Sequence, residues 1–175
     1  LFPVFRNTRA TTLLGAIKPP PASALLRELF TPVQIPLLLA QFPWLALAPR
    51  GRGRVLVWPG FGASNASTLP IRNYLSYLGD EVEGWPLGRN NGDVLAMLAA
   101  LTETLEDDSS AEPVTLVGWS LGGYLAREVA RDCPDRVRRV VTLGSPVVGG
   151  PKYTAVAPMF AGDGTSVDQI EALVE

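Results

Sequence analysis

The sequence predicts an α/β protein built on a mostly parallel sheet flanked by helices. Three observations predict it. From Arg54 onward, apolar runs of β type alternate with apolar stripes at helical spacing, in the order β-α-β-α-β-α-β. Residues 114 to 123, VTLVGWSLGG, run from an apolar strand through a glycine-bounded turn directly into a helical pattern. The 175 residues are 47% hydrophobic and 18% charged, enough apolar surface for one sizeable core and too much for disorder. Strands joined through helices pair in parallel, and the helices cover both faces of the sheet.

Residues 1 to 53 read as an N-terminal arm and linker, largely irregular. Pro19-Pro20-Pro21 is a stiff break. Ser23 caps a short predicted helix, Ala24 to Phe30, which Pro32 stops. The most apolar stretch, Ile35 to Ala48, holds Pro36, Gln41 and Pro43. It is shorter than the roughly 20 residues that span a bilayer. It reads as a buried or surface-packed arm, with a membrane-interfacial segment as the less favoured alternative. Arg50-Gly51-Arg52-Gly53 is a turn into the core.

The core is expected over 54–150. Val55 to Trp58 is its first strand, ended by Pro59-Gly60. Asn65 to Ser67 cap a helix carrying Ile71, Tyr74, Leu75 and Leu78 on one stripe, with Gly79 as its stop. Glu81 to Leu87 is a weaker strand, and residues 88–92 form a loop. Val94, Leu98, Leu101 and Leu105 make a helical stripe closed by Asp107 to Ser110. Pro113 to Val117 is the next strand. The helix leaving the GWSLGG turn runs to Asp132, and Pro134 prevents its continuation. Val137 to Leu143 is a further strand, ended by Gly144-Ser145-Pro146. A short helix is predicted from Val167 to the end. Sites in such sheets lie beyond the carboxyl ends of the strands. The loops 60–65, 118–122 and 145–150 share that edge.

Composition narrows the partners. A net charge of −2 gives no basic footprint for nucleic acid. Cys133 is the sole cysteine, so no intrachain disulfide forms, and the count fits a reducing compartment such as the cytoplasm. With one cysteine and no histidine, no zinc site and no other metal or cofactor is expected.

Gly118-Trp119-Ser120-Leu121-Gly122 has the form G-x-S-x-G, placed between a strand and a helix. That is the context of a nucleophile elbow. A serine hydroxyl becomes a nucleophile when a tight turn projects its Oγ toward a base. Side chains at the flanking positions would clash across the turn, so Gly118 and Gly122 carry no Cβ. The helix starts just after Ser120, and its free N–H groups and positive dipole end face a developing oxyanion. One feature pulls the other way. A serine of this type normally takes a histidine as its base, and the chain has none.

The stretch 54–151 resembles the α/β-hydrolase superfamily, on its lipase and esterase side. GWSLGG is the most specific match. VLVWPGFGAS, residues 55–64, is similar to the third strand and following loop, with Pro59 where many relatives carry histidine. TLGSPVVGG, residues 142–150, is similar to a Thr-x-Gly-Thr-Pro loop. The resemblance implies Ser120 as catalytic nucleophile and the backbone N–H groups of Phe61 and Leu121 as oxyanion hole. It implies that residues 151–175 begin a cap. The family's acid and histidine follow the serine in that order. Asp132, Asp135, Asp163 and Asp168 lie downstream of Ser120 and match no acid position. The fold is therefore expected to be incomplete on its C-terminal side. Alone, the chain is expected to be inactive and aggregation-prone at the strand 137–143.

Other residues have plainer readings beside functional ones. Trp119 either lines an acyl pocket or has a core or rim packing role. Arg89 meets a substrate anion or sits solvated in its loop. Ser145 reads as a turn hydroxyl, Asp163 as a turn former and Cys133 as packed rather than reactive. Three functions remain open. One is the N-terminal part of a serine hydrolase acting on carboxylic esters, with a small-molecule ester or acyl substrate. A second is a non-catalytic relative that binds an acyl or small apolar ligand. The third is an interaction domain retaining the elbow as a relic.

Overall fold

The structure is a computed structural model that describes residues 31–110 and 112–145. The expected helix 24–30, the loop beyond Ser145, the cap region 151–175, Asp163, Asp168 and the helix from Val167 lie outside the described residues.

Four strands form one sheet in the order β2-β1-β3-β4, with every neighbouring pair parallel. They are β1 (Arg54–Trp58), β2 (Glu81–Gly84), β3 (Val114–Trp119) and β4 (Val137–Leu143). Three helices connect them: α3 (Leu69–Leu78), α4 (Val94–Glu106) and α5 (Leu121–Asp132). The arm before the sheet holds α1 (Thr31–Ala40) and α2 (Phe42–Leu45).

Period-two alternation in the strands divides the core between the two faces. Trp58 of β1 and Val114 and Leu116 of β3 join Met97 and Leu101 of α4 and Leu125 and Val129 of α5 in the main core. Val55, Val57 and Val117 point to the other face, where Ile71 and Leu75 of α3 cover them. The α3 crossover thus runs on one face and α4 and α5 on the other. The chain steps from β1 outward to β2, then returns past β1 to β3. This reversal opens a crevice between the loops that follow β1 and β3, where α/β sheets place ligands. β4 is one of the two outer strands among the described residues, the other being β2, and Val141 and Leu143 are exposed on it.

The elements depart from expectation in three places. Residues 31–45 are helical rather than irregular. Pro32 stands in the first turn of α1, where its missing N–H costs no helical hydrogen bond, so it is compatible with the start of a helix. β2 ends at Gly84, short of Leu87, because Asn65 caps it. The Asn65 side chain donates to the Trp85 carbonyl at 2.8 Å and accepts from the Trp85 N–H at 3.0 Å. Asn65 therefore does not cap α3, which is entered through a 3-10 turn, Asn65–Thr68.

The arm packs on the outer side of α3. The Tyr74 hydroxyl donates to the Leu45 carbonyl at 2.9 Å, and the Phe42 and Tyr77 rings meet at 6.1 Å. The Arg50 guanidinium lies 5.2 Å over the Tyr77 ring. Leu37, Leu38, Trp44 and Leu47 stay exposed. No helix among the described residues is long and apolar enough to cross a membrane.

Candidate active site

Ser120 sits between the last residue of β3 and the first of α5, at φ 52° and ψ −120°. Among the described residues no other non-glycine has a positive φ. A serine is held there only when its surroundings impose it, and such strain clusters at functional positions. Two constraints impose it here. The Ser120 N–H donates to the Leu143 carbonyl of β4 at 2.8 Å. The Ser120 carbonyl accepts from the Gly123 N–H at 3.0 Å, closing the first turn of α5. The Ser120 side chain makes no capping bond to the helix that it starts.

The elbow glycines are required by space. A Cβ on Gly118 would land on the backbone of Gly122 and Gly123. A Cβ on Gly122 would lie 2.5 Å from the Trp58 carbonyl oxygen and 2.6 Å from that of Pro59. α5 therefore starts in direct contact with the end of β1. A side chain on Gly123 would meet the Ser145 hydroxyl, which is buried with no hydrogen-bond partner among the described residues.

The loop after β1, Pro59 to Ala63, closes the other side of the crevice. A Cβ on Gly60 would lie 3.2 Å from the Ser120 Cβ, so this loop runs directly past the serine. Phe61 is the next residue, its half-buried ring packed on the main core. Leu121, buried, opens α5, and a first-turn N–H has no partner inside its own helix. Gly60 and Leu121 thus flank Ser120 from two elements, with Phe61 next in the chain after Gly60 and the positive end of the α5 dipole behind Leu121.

Trp119 is 46% exposed at the end of β3, paired in register with Leu143. With Val57, Ile71, Val117 and Leu143 it lines a cavity of about 190 Å³ on the α3 face. The lining is mostly apolar, suited to an aliphatic chain. Arg89 donates to the Gly62 carbonyl. Asp132 and Asp135 are exposed at the far end of α5. Cys133 is buried, and burial pushes its thiol pKa up.

The sequence reading missed Asn90. It is fully buried in the β2–α4 loop and spans the whole β1 loop. Its Nδ2 donates to the Pro59 carbonyl at 3.0 Å and its N–H to the Ala63 carbonyl at 2.8 Å. Its carbonyl accepts from the Gly62 N–H at 2.7 Å. Nothing in the string Gly88-Arg89-Asn90-Asn91-Gly92 separates Asn90 from exposed Asn91.

Among the described residues, an ion-pair cluster lies at the opposite, amino edge of the sheet. Arg54 bonds Asp108 at 2.6 Å and Glu83 at 3.0 Å. The Arg54 guanidinium, then the Ser110 N–H, hold the Asp108 carboxyl below its ordinary range. No group of three metal-ligating side chains occurs among the described residues.

A family model described as the alpha/beta hydrolase fold matches residues 52–166, well over half of the chain. The chain belongs to the alpha/beta hydrolase fold family. Among curated proteins, the pimeloyl-[acyl-carrier protein] methyl ester esterase of Vibrio parahaemolyticus is 36% identical over 69 residues. The match takes in 39% of this chain and 24% of that esterase, so the chain spans about a quarter of that relative. Among solved structures, a protein from Xanthomonas campestris described as a hydrolase of the alpha/beta superfamily aligns with TM-score 0.48 and 27% identity. That alignment covers 57% of this chain and 62% of the other. RedJ, a thioesterase of prodiginine biosynthesis in Streptomyces coelicolor, aligns with TM-score 0.42 and 26% identity, over 58% of this chain and 41% of RedJ.

Proposed function

We propose that this alpha/beta hydrolase fold chain carries the nucleophile and oxyanion hole of a serine hydrolase acting on carboxylic esters. The observation that carries the reading is Ser120. It adopts a strained backbone on a strand-to-helix turn, with its side chain unused in capping α5. The esterase named above, with its methyl ester substrate on an acyl-carrier protein, supports ester chemistry. The apolar cavity beside Trp119 supports an acyl chain as the part of the substrate that is held.

In this reading the Ser120 Oγ attacks the ester carbonyl carbon as its proton passes to a base. The carbonyl oxygen becomes an oxyanion and is held by the Phe61 and Leu121 N–H groups. The C–O bond to the alcohol then breaks, the alcohol takes the proton from the base, and water releases the acid from Ser120. The sequence contains no histidine, so this reading takes its base from a group other than a histidine of these 175 residues. The same fact favours a second reading, a non-catalytic domain that binds an acyl or small apolar ligand.

Turnover separates the two. In the full-length protein, Ser120→Ala is expected to lower kcat on p-nitrophenyl butyrate by about 10⁵- to 10⁶-fold, the scale of losing a serine nucleophile. Turnover unchanged by Ser120→Ala contradicts the nucleophile assignment. Stoichiometric acyl-ligand binding without turnover supports the second reading.

A further inference from the structure

A buried side-chain amide is costly unless each of its polar groups finds a partner. Asn90 meets that demand by bonding the β1 loop on one side and its own loop on the other. Its Nδ2 donates to the Pro59 carbonyl at the start of the β1 loop. Its Oδ1 accepts from the Gly92 N–H at 3.2 Å, which fixes the amide against its own loop. Its backbone grips the loop's far half through Gly62 and Ala63. The gripped residues, 59, 62 and 63, bracket Phe61, and Gly60 runs against the Ser120 Cβ.

An oxyanion hole works when its donors are fixed before charge develops, and misplacement by a fraction of an ångström forfeits rate. The loop 59–63 contains Pro59, Gly60, Gly62 and Ala63, so it has few side chains of its own with which to hold a shape. Phe61 anchors it on the core side, Arg89 adds one bond to the Gly62 carbonyl, and Asn90 alone bonds both ends of the loop.

We infer that Asn90 is a positioning residue for the oxyanion hole: its buried amide holds the Pro59–Ala63 loop so that the Phe61 N–H stands beside Ser120. This rests on the reading of Ser120 and Phe61 above. Asn90 does not touch the substrate. It acts through the loop, so its loss raises the energy of the transition state and leaves ground-state binding nearly unchanged.

The discriminating variant is Asn90→Asp in the full-length protein. It keeps the shape and the acceptor to Gly92 but removes the donor to Pro59. With p-nitrophenyl butyrate, kcat is expected to fall by about 10- to 100-fold, with KM within about 3-fold of wild type. Asn91→Ala, at the exposed neighbour, is expected to match wild type. A kcat for Asn90→Asp within about 3-fold of wild type overturns the inference, as does a raised KM at unchanged kcat. Ser120→Ala run in parallel separates the two failures. If it alone abolishes turnover, the serine reading stands and the role of Asn90 falls.

Should Asn90→Asp not fold, the wild-type protein answers the same question. The Asn90 side-chain amide resonances are expected to shift when a fluorophosphonate adduct on Ser120 occupies the hole. Resonances indifferent to the adduct overturn the inference.

Discussion

The Ser120 N–H donates to the Leu143 carbonyl at 2.8 Å, so the elbow is tied to the end of β4 as well as to β3. Ser120 is thereby held from three directions. β3 delivers it, α5 begins on it, and β4 bonds it from the side. The strained φ of 52° is the conformation in which all three are satisfied at once.

The elbow's tight spacing makes its glycines costly to replace. Gly122→Ala puts a methyl against the Trp58 and Pro59 carbonyls, backbone atoms that cannot rotate away. It is expected to destabilise by about 3 kcal/mol, the upper range for overpacking. Gly88→Ala is the matched control. Gly88 has φ 73° and open space where a Cβ would go, so only backbone strain is incurred, about 1 kcal/mol. Urea denaturation of the two variants measures the gap, and equal losses contradict the packing account.

The ion pair at the amino edge predicts a pH dependence. The Asp108 carboxyl is held below its ordinary range chiefly by Arg54. A depressed carboxylate stabilises the fold above its unfolded pKa, about 3.9. That stability is lost as pH falls through the lower folded value. Arg54 remains charged throughout. The Tm difference between wild type and Asp108→Asn is expected to be positive near neutral pH and to close below about pH 4. A difference independent of pH contradicts this origin.

Much of the fold was legible because it is local or periodic. The β1 and β4 runs, the α4 stripe, and Gly79 at φ 103° ending α3 all follow from neighbours in sequence. The elbow was legible because strand, Gly118, Gly122 and helix are contiguous. Asn65 and Asn90 were not. Each bonds a segment 20 or 31 residues away, and hydrogen bonds between distant loops leave no periodicity. The arm was misread for another reason. Residues 31–45 read as irregular, yet Pro32 sits where a helix tolerates it and Pro36 is carried inside α1.

Cys133 offers a probe of the core. It is 5% exposed at the end of α5, with burial, then Glu106 and Asp132, raising its thiol pKa. A protonated, buried thiol reacts slowly with disulfide reagents. Labelling with dithionitrobenzoate near neutral pH is expected to run at least ~100-fold slower in the native protein than in denaturant. Rapid native labelling contradicts the packing of α5 against α4.

The central claim is that Ser120 is a nucleophile, and covalent capture tests it most directly. The full-length protein is treated with a fluorophosphonate, digested, and the modified peptide is sequenced by mass spectrometry. The account predicts one phosphonyl group per chain, on Ser120 in the peptide containing GWSLGG, and none in Ser120→Ala. An unmodified Ser120, or a label that persists in Ser120→Ala, contradicts it.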